Sequence, residues 1–351
     1  METIRKYWDN WRLGYWLAGI GSALFVIAAL FLLSAYLLPS SWGGVRSVRD
    51  MLPLPMATVS GTPVATYADV AENLAALRRF YESQDFSSVG LRVDFSTPEG
   101  KERLRIRELE ILNKMIEDAE IRKLAWERGI SFTERDALGK VLEKAREADG
   151  ETSARGKVAS LYGWDLERFA SEIVLPELYR DALEGEVMKD RERFRDASER
   201  IHAAERMLSD GRSFSDVSAE MSEGRTAEDD GSMGWFAYDQ LTPALREFAK
   251  TQEIGVYGPV IESNLGFHIL RVNARQTKGD EELVDLSQIF VGKETFGEWL
   301  TGELRKTDVR ILAPEYEWDE ETATVEFRDG AMRDRKRKIL EQSEGDASVM
   351  F

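Results

Sequence analysis

Residues 210–272 constrain the fold more than any other stretch. They read DGRSFSDVSAEMSEGRTAEDDGSMGWFAYDQLTPALREFAKTQEIGVYGPVIESNLGFHILRV. The run passes from an amphipathic helix through a Gly-containing turn to Gly-Trp-Phe. A second short helix, a Gly-Pro-Val strand and a Gly-Phe-His-Ile-Leu strand follow. Beyond this run, ELVDLSQIFV suits a strand over 284–291, with Val284, Leu286, Gln288 and Phe290 on one face at period two.

The order of elements in 210–272 resembles the parvulin family of peptidyl-prolyl isomerases. The resemblance implies an α+β domain with a small antiparallel sheet, an apolar cup for a proline ring and a small polar centre. Met233 in GSMGWF, Leu241 after the Gly-Trp-Phe turn, and Leu245 or Phe248 on the next helix fall on the cup positions. His268 in LGFHILRV matches the family's Gly-x-His-Ile strand, whose histidine belongs to a hydrogen-bonded histidine pair. The partner histidine normally sits on the domain's first strand. Here residues 186–208 read as continuous helix instead. LSQIFV has the pattern of the missing strand, with Gln288 in the histidine's place, so that strand is expected from the C-terminal side. A sheet left without its central strand would expose two edges. The family usually places a Cys or Asp in the loop before the Gly-x-Phe turn. By position Glu223 or Gly224 lies nearest, with Asp229 and Asp230 as further acidic candidates. Taken together, the catalytic candidates are His268, Gln288 and Glu223. His202, in ERIHAAERML, reads as a helix-face residue.

Residues 55–196 are expected to be an all-α domain apart from one hairpin around Ser60-Gly61. Thr66 is placed to cap a helix over 67–81, and Pro98 to Arg128 reads as a long Leu/Ile-rich helix ended by Gly129. Thr133-x-x-Asp136 has the form of a capping box. Residues 149–156 read as a loop, followed by helices near 157–162, 165–174 and 176–196. The V-x-G-x-x-V opening, ERGISFTERD and LYGWDLERFASEIVLPELYRDAL resemble, in that order, the N-terminal chaperone domain of SurA-like foldases. The parvulin-like domain is then expected over 197–312, with a helix near 295–304 and the strand VRIL completing it. Residues 313–351 are expected to be a C-terminal tail, loosely ordered over 331–351.

Tyr15 to Leu38 carries no charge over 24 residues, enough for a helix to cross a bilayer. Trp8, Trp11, Trp16 and Trp42 flank it as interface anchors would. The expectation is a single-pass membrane protein: cytoplasmic tail 1–14, transmembrane helix 15–38, linker 39–54, and the bulk outside the cytoplasm. The net charge of −17 argues against nucleic-acid partners. The chain has no cysteine, which excludes disulfides and thiolate chemistry. With two histidines far apart and no Gly-rich phosphate loop, neither a metal nor another cofactor is expected. Unfolded or proline-containing polypeptides are the expected partners. Two functions stay open: an isomerase and chaperone for exported chains, or a catalytically inactive holdase or scaffold with the same pocket.

Overall fold

The computed structural model describes residues 52–84, 94–279 and 281–343, together with Tyr36 and Arg49. The chain divides into two compact units. One comprises Met1–Leu183 with Leu300–Phe351, the other Glu184–Trp299.

In the first unit, β1 (Pro55–Val59) and β2 (Thr62–Thr66) form a hairpin. Ser60 and Gly61, with φ of 49° and 79°, supply the left-handed turn that a two-residue hairpin requires. Helix α1 (Tyr67–Ser83) begins at Thr66, whose hydroxyl accepts from Asp69 N while Asp69 reaches back to Thr66 N. Helix α2 (Pro98–Glu127) ends at Gly129, φ 75°. Its apolar stripe, Ile106, Leu109, Leu112, Ile116, Ile121 and Leu124, is buried. Helix α3 (Glu134–Glu147) starts at the Thr133–Asp136 capping box. Helices α4 (Glu151–Tyr162) and α5 (Leu166–Phe169), a π-turn (Ala170–Val174) and α6 (Leu175–Val187) follow. The segment expected as a loop at 149–156 is therefore helical from Glu151 onward.

The first unit is not all-α. Its hairpin is part of a three-stranded sheet, β2-β1-β7, completed by β7 (Val309–Ile311). VRIL thus joins β1 rather than the sheet that carries His268. The C-terminal part is also more ordered than expected up to residue 343. Strands β8 (Tyr316–Asp319) and β9 (Thr324–Phe327) pair, and α11 (Gly330–Ser343) follows. The reason is burial: Tyr316, Val325 and Phe327 are core residues. The Asn113 carboxamide on α2 also exchanges two hydrogen bonds with the Val325 backbone, at 2.6 and 3.1 Å.

The transmembrane reading is corrected. Among the described residues no helix is long and apolar enough to cross a membrane. The run 15–38 itself lies, except for Tyr36, outside the described residues. The membrane placement inferred from hydropathy therefore has no structural support, because a stretch without charge specifies apolarity and not a span.

The second unit opens where the expected continuous helix breaks. After α6, a 3-10 turn (Arg191–Phe194) leads into α7 (Arg195–Ser209). Next come α8 (Phe214–Met221), a 3-10 turn (Arg225–Asp229), β3 (Ser232–Ala237), a further turn (Tyr238–Gln240) and α9 (Pro243–Thr251). Strands β4 (Ile261–Glu262), β5 (Gly266–Lys278) and β6 (Glu281–Gly292) precede α10 (Phe296–Leu304). The sheet order is β3-β6-β5-β4, all antiparallel. β6 is the strand expected at 284–291, and it lies inside the sheet. One face packs Phe267, Ile269, Ile289 and Val291 against α7 and α8 through Ile201, Leu208, Phe214 and Val217. The other packs Leu270, Val272, Val284 and Leu286 against α9 through Phe248 and Ala249.

Candidate active site

β6 pairs with β3 only as far as Ser287. Beyond that point its outer edge would hold unpaired peptide groups, which are costly when shielded from water. The segment after α8 covers it. Gln288 N donates to Gly231 O (2.8 Å), Phe290 N to Ser222 Oγ (3.0 Å) and Glu223 N to Phe290 O (2.8 Å). Gly231 has φ 78°, and a Cβ there would lie 2.7 Å from Gln288 O, so only glycine fits this approach. The seal fixes the position of Gln288 along the sheet.

Gln288 and His268 share the face that also carries Leu270 and Leu286. In the β5–β6 register, His268 lies opposite Phe290 and Leu270 opposite Gln288, so the two polar side chains are diagonal neighbours. His268 Nδ1 is 3.3 Å from Gln288 Oε1, and Nε2 is 2.8 Å from Ser263 Oγ. With the amide oxygen facing Nδ1, the matching tautomer has its proton on Nδ1 and uses Nε2 as an acceptor for the Ser263 hydroxyl. The ring is 6% exposed and packs on Phe290 with centroids 4.9 Å apart. Burial holds the imidazole below its ordinary pKa of 6.5. The Gln288 hydrogen bond opposes that shift, and the Lys293 charge adds to it. The centre is a neutral, oriented imidazole at the edge of an apolar floor.

The floor is the second sheet face. Leu241 and Phe248 are buried in it, and Met233 and Leu245 pack against it with Phe236, Tyr238 and Ile261. All four cup residues expected from sequence therefore belong to one cluster with Leu270 and Leu286. The alternatives Leu245 and Phe248 both belong to that cluster.

Glu223 does not join the centre. One carboxylate oxygen accepts from Gly292 N (2.7 Å) and the other pairs with Arg200. It closes the β6 edge, which is a structural task. The position beside the centre is Gly224, where a Cβ would lie 3.6 Å from Gln288 Nε2. Asp229 and Asp230 are exposed, and Asp230 accepts from Ser215. His202 is an exposed helix residue whose Nδ1 lies 2.9 Å from Glu205. Sequence reasoning missed Ser263. Its signal was the spacing, a serine in the turn five residues before the histidine of a Gly-Phe-His strand.

Residues 182–274 match the Rotamase family, described as a PPIC-type PPIASE domain. The match stops before β6, so the strand that completes the sheet lies beyond it. Among relatives, a Chaperone SurA from Idiomarina loihiensis is 33% identical over 94 residues, 26% of this chain and 21% of that protein. A Chaperone SurA from Hydrogenovibrio crunogenus is 32% identical over 71 residues, 20% of this chain and 16% of that protein. A Foldase protein PrsA from Halalkalibacterium halodurans is 26% identical over 175 residues, 43% of this chain and 53% of that protein. The chain thus spans from about a sixth to about half of these relatives' lengths. Residues 182–274 are thus similar to a PPIC-type isomerase domain, and parts of the chain are similar to parts of folding chaperones.

The first unit contributes a separate cavity of about 860 Å³. Phe80, Tyr162 and Trp164 form a stacked wall, with centroids 5.4 and 5.8 Å apart. Opposite, α2 presents Ile111, Met115 and the Lys114–Asp118 pair. Burial pushes the Asp118 carboxyl up, and Lys114 offsets part of that. Trp126 stands 62% exposed at the lining. The aromatic stack was not legible in the sequence, since its members come from two helices and a turn.

Proposed function

We propose that the second unit binds a prolyl peptide in the Leu241–Phe248 cup and accelerates cis–trans exchange of the X-Pro bond. The barrier, roughly 18–20 kcal/mol, comes from amide resonance, and no covalent step is needed to lower it. The apolar cluster holds the pyrrolidine ring out of water. The fixed His268–Gln288–Ser263 row then faces an amide that loses conjugation as it twists. A preoriented polar site stabilises that state more than the planar ground state. The observation that carries this reading is the placement of a buried, doubly hydrogen-bonded His268 on the same sheet face as all four cup residues.

The first-unit cavity, with its apolar wall and exposed Trp126, supports binding of apolar segments of unfolded chains, which makes the protein a folding factor. A non-catalytic holdase is the second reading. It is favoured by the glutamine at position 288 and the absence of any side chain at Gly224.

Measured exchange of short X-Pro peptides by the full chain, beside His268→Ala, separates the two. The isomerase reading expects exchange far faster than the uncatalysed tens to hundreds of seconds, with most of the gain absent in the variant. No acceleration with any residue before proline, alongside suppressed aggregation of an unfolded protein, establishes the holdase.

A further inference from the structure

Lys293 is unusual among the charged residues of the second unit. Its side chain is 9% exposed, and its ammonium lies 5.0 Å from the Phe194 ring centroid and 4.9 Å from that of Phe267. A buried ammonium is costly unless it is paired, and a methionine or leucine would fill the space between two rings without that cost. Its bonds show what the charge holds. Nζ donates to Glu262 Oε1 (2.6 Å) and to the Ser263 carbonyl (3.1 Å), and the Lys293 backbone N donates to Leu265 O (3.0 Å). The first acceptor ends β4, and the other two lie in the turn between β4 and β5. Ser263, in that turn, also holds Nε2 of His268 through its hydroxyl. Lys293 itself follows directly on β6, the strand that holds Nδ1 through Gln288.

We propose that Lys293 is the positioning residue of the His268 centre, fixing the Ser263 turn against the end of the Gln288 strand so that both ring nitrogens keep their partners. This rests on the isomerase reading for its role in turnover, but not for its effect on the ring. The charge acts in the same sense as the geometry. Charged groups on the elements around His268 include Lys293 at the end of β6, Glu262 on β4, Glu223 after α8 and, on the opposite face of β5, Arg271, which lies over the Phe214 ring. Glu262 is paired with Lys293 and lies 3.6 Å from Arg191, and Glu223 is paired with Arg200. Lys293 is the one whose charge disfavours the imidazolium.

The test is imidazole ¹H–¹⁵N spectroscopy of the full chain. With only His202 and His268 present, His202→Gln assigns the two rings. Wild-type His268 is expected to carry its proton on Nδ1 alone. In Lys293→Met, which keeps the aliphatic stem, the ring is expected to average between tautomers and its titration midpoint to rise. Lys293→Arg restores the wild-type pattern. Turnover of X-Pro peptides by Lys293→Met falls in kcat with KM little changed. A folded Lys293→Met chain with the wild-type tautomer and midpoint overturns the proposal. If Lys293→Met does not fold, Glu262→Gln decides. It leaves the Lys293 charge uncompensated and is expected to lower the His268 midpoint, and an unchanged or raised midpoint contradicts the assignment. If the wild-type chain shows no acceleration while the ring responds as described, the isomerase reading fails and the positioning role stands.

Discussion

The two units offer apolar surface in different ways. The first-unit cavity is a wall of stacked rings, Phe80, Tyr162 and Trp164, facing α2 and its Lys114–Asp118 pair. At the edge of the second-unit cup stands a neutral imidazole with a partner on each nitrogen. The difference separates holding from turning. Shielding a chain requires area and tolerates many sequences. Lowering a rotation barrier requires polar groups fixed where the amide changes its electron distribution. Ion pairs such as Lys114–Asp118, 2.9 Å apart and internally matched, satisfy each other and leave nothing directed at a ligand. The His268 row is supported from Ser263 on one side and Gln288 on the other.

Mutations should split along that line. The largest effect is expected from His268→Ala, roughly a hundredfold loss in prolyl exchange, the scale for losing one preoriented polar group. Binding of an unfolded polypeptide should hardly change, and both are read on the same preparation by exchange NMR and fluorescence. Next, Leu241→Ala removes a buried cup residue. It should cost about 2–5 kcal/mol of stability in denaturant unfolding and raise KM for prolyl peptides. Phe80→Ala and Tyr162→Ala should show the converse pattern. Each weakens binding of the unfolded chain by about 1 kcal/mol, the worth of one stacked ring pair, while exchange of short X-Pro peptides is unaltered.

Acidification gives a smaller effect with a defined sign. His268 is held below 6.5 in the folded chain. As pH falls below 6.5 the unfolded chain takes up that proton before the folded one does, so stability declines until the folded ring is also protonated. Exchange activity should stay flat through pH 6.5 and fall only beneath it. His268→Gln should remove this part of the pH dependence of unfolding. The smallest change is expected from Gly224→Asp. It places a carboxylate beside the Gln288 amide and should raise exchange modestly if the centre is short of a polar partner.

Legibility followed the range of the contacts. The N-cap at Thr66, the capping box at Thr133 and the hairpin at Ser60-Gly61 are local, and the structure has them where the sequence indicated. β6 was legible because alternation over 284–291 is local, even though the matched family stretch ends at residue 274. VRIL was read as a strand, but the sheet that β7 joins was not, because its partner β1 is some 250 positions earlier. The ordering of 316–343 rests on Asn113 and a buried Phe327, neither visible as a pair in one sequence. At the site, the candidates named from the motif, Met233, Leu241, Leu245 and Phe248, gather in one cluster on the sheet face that carries His268. Glu223, the acidic candidate, is turned to Gly292 N and Arg200, and its neighbour Gly224 lies beside Gln288. The uncharged run 15–38 shows the opposite risk, a strong composition signal read as a span.

The most direct test of the central claim is exchange spectroscopy of an X-Pro peptide at substoichiometric full chain, with the His268 ring signals followed in the same titration. The account predicts cis–trans cross-peaks that appear only with the protein present, together with saturable shifts of His268. Saturable His268 shifts without exchange would contradict catalysis at this centre, and exchange without any His268 response would place it elsewhere.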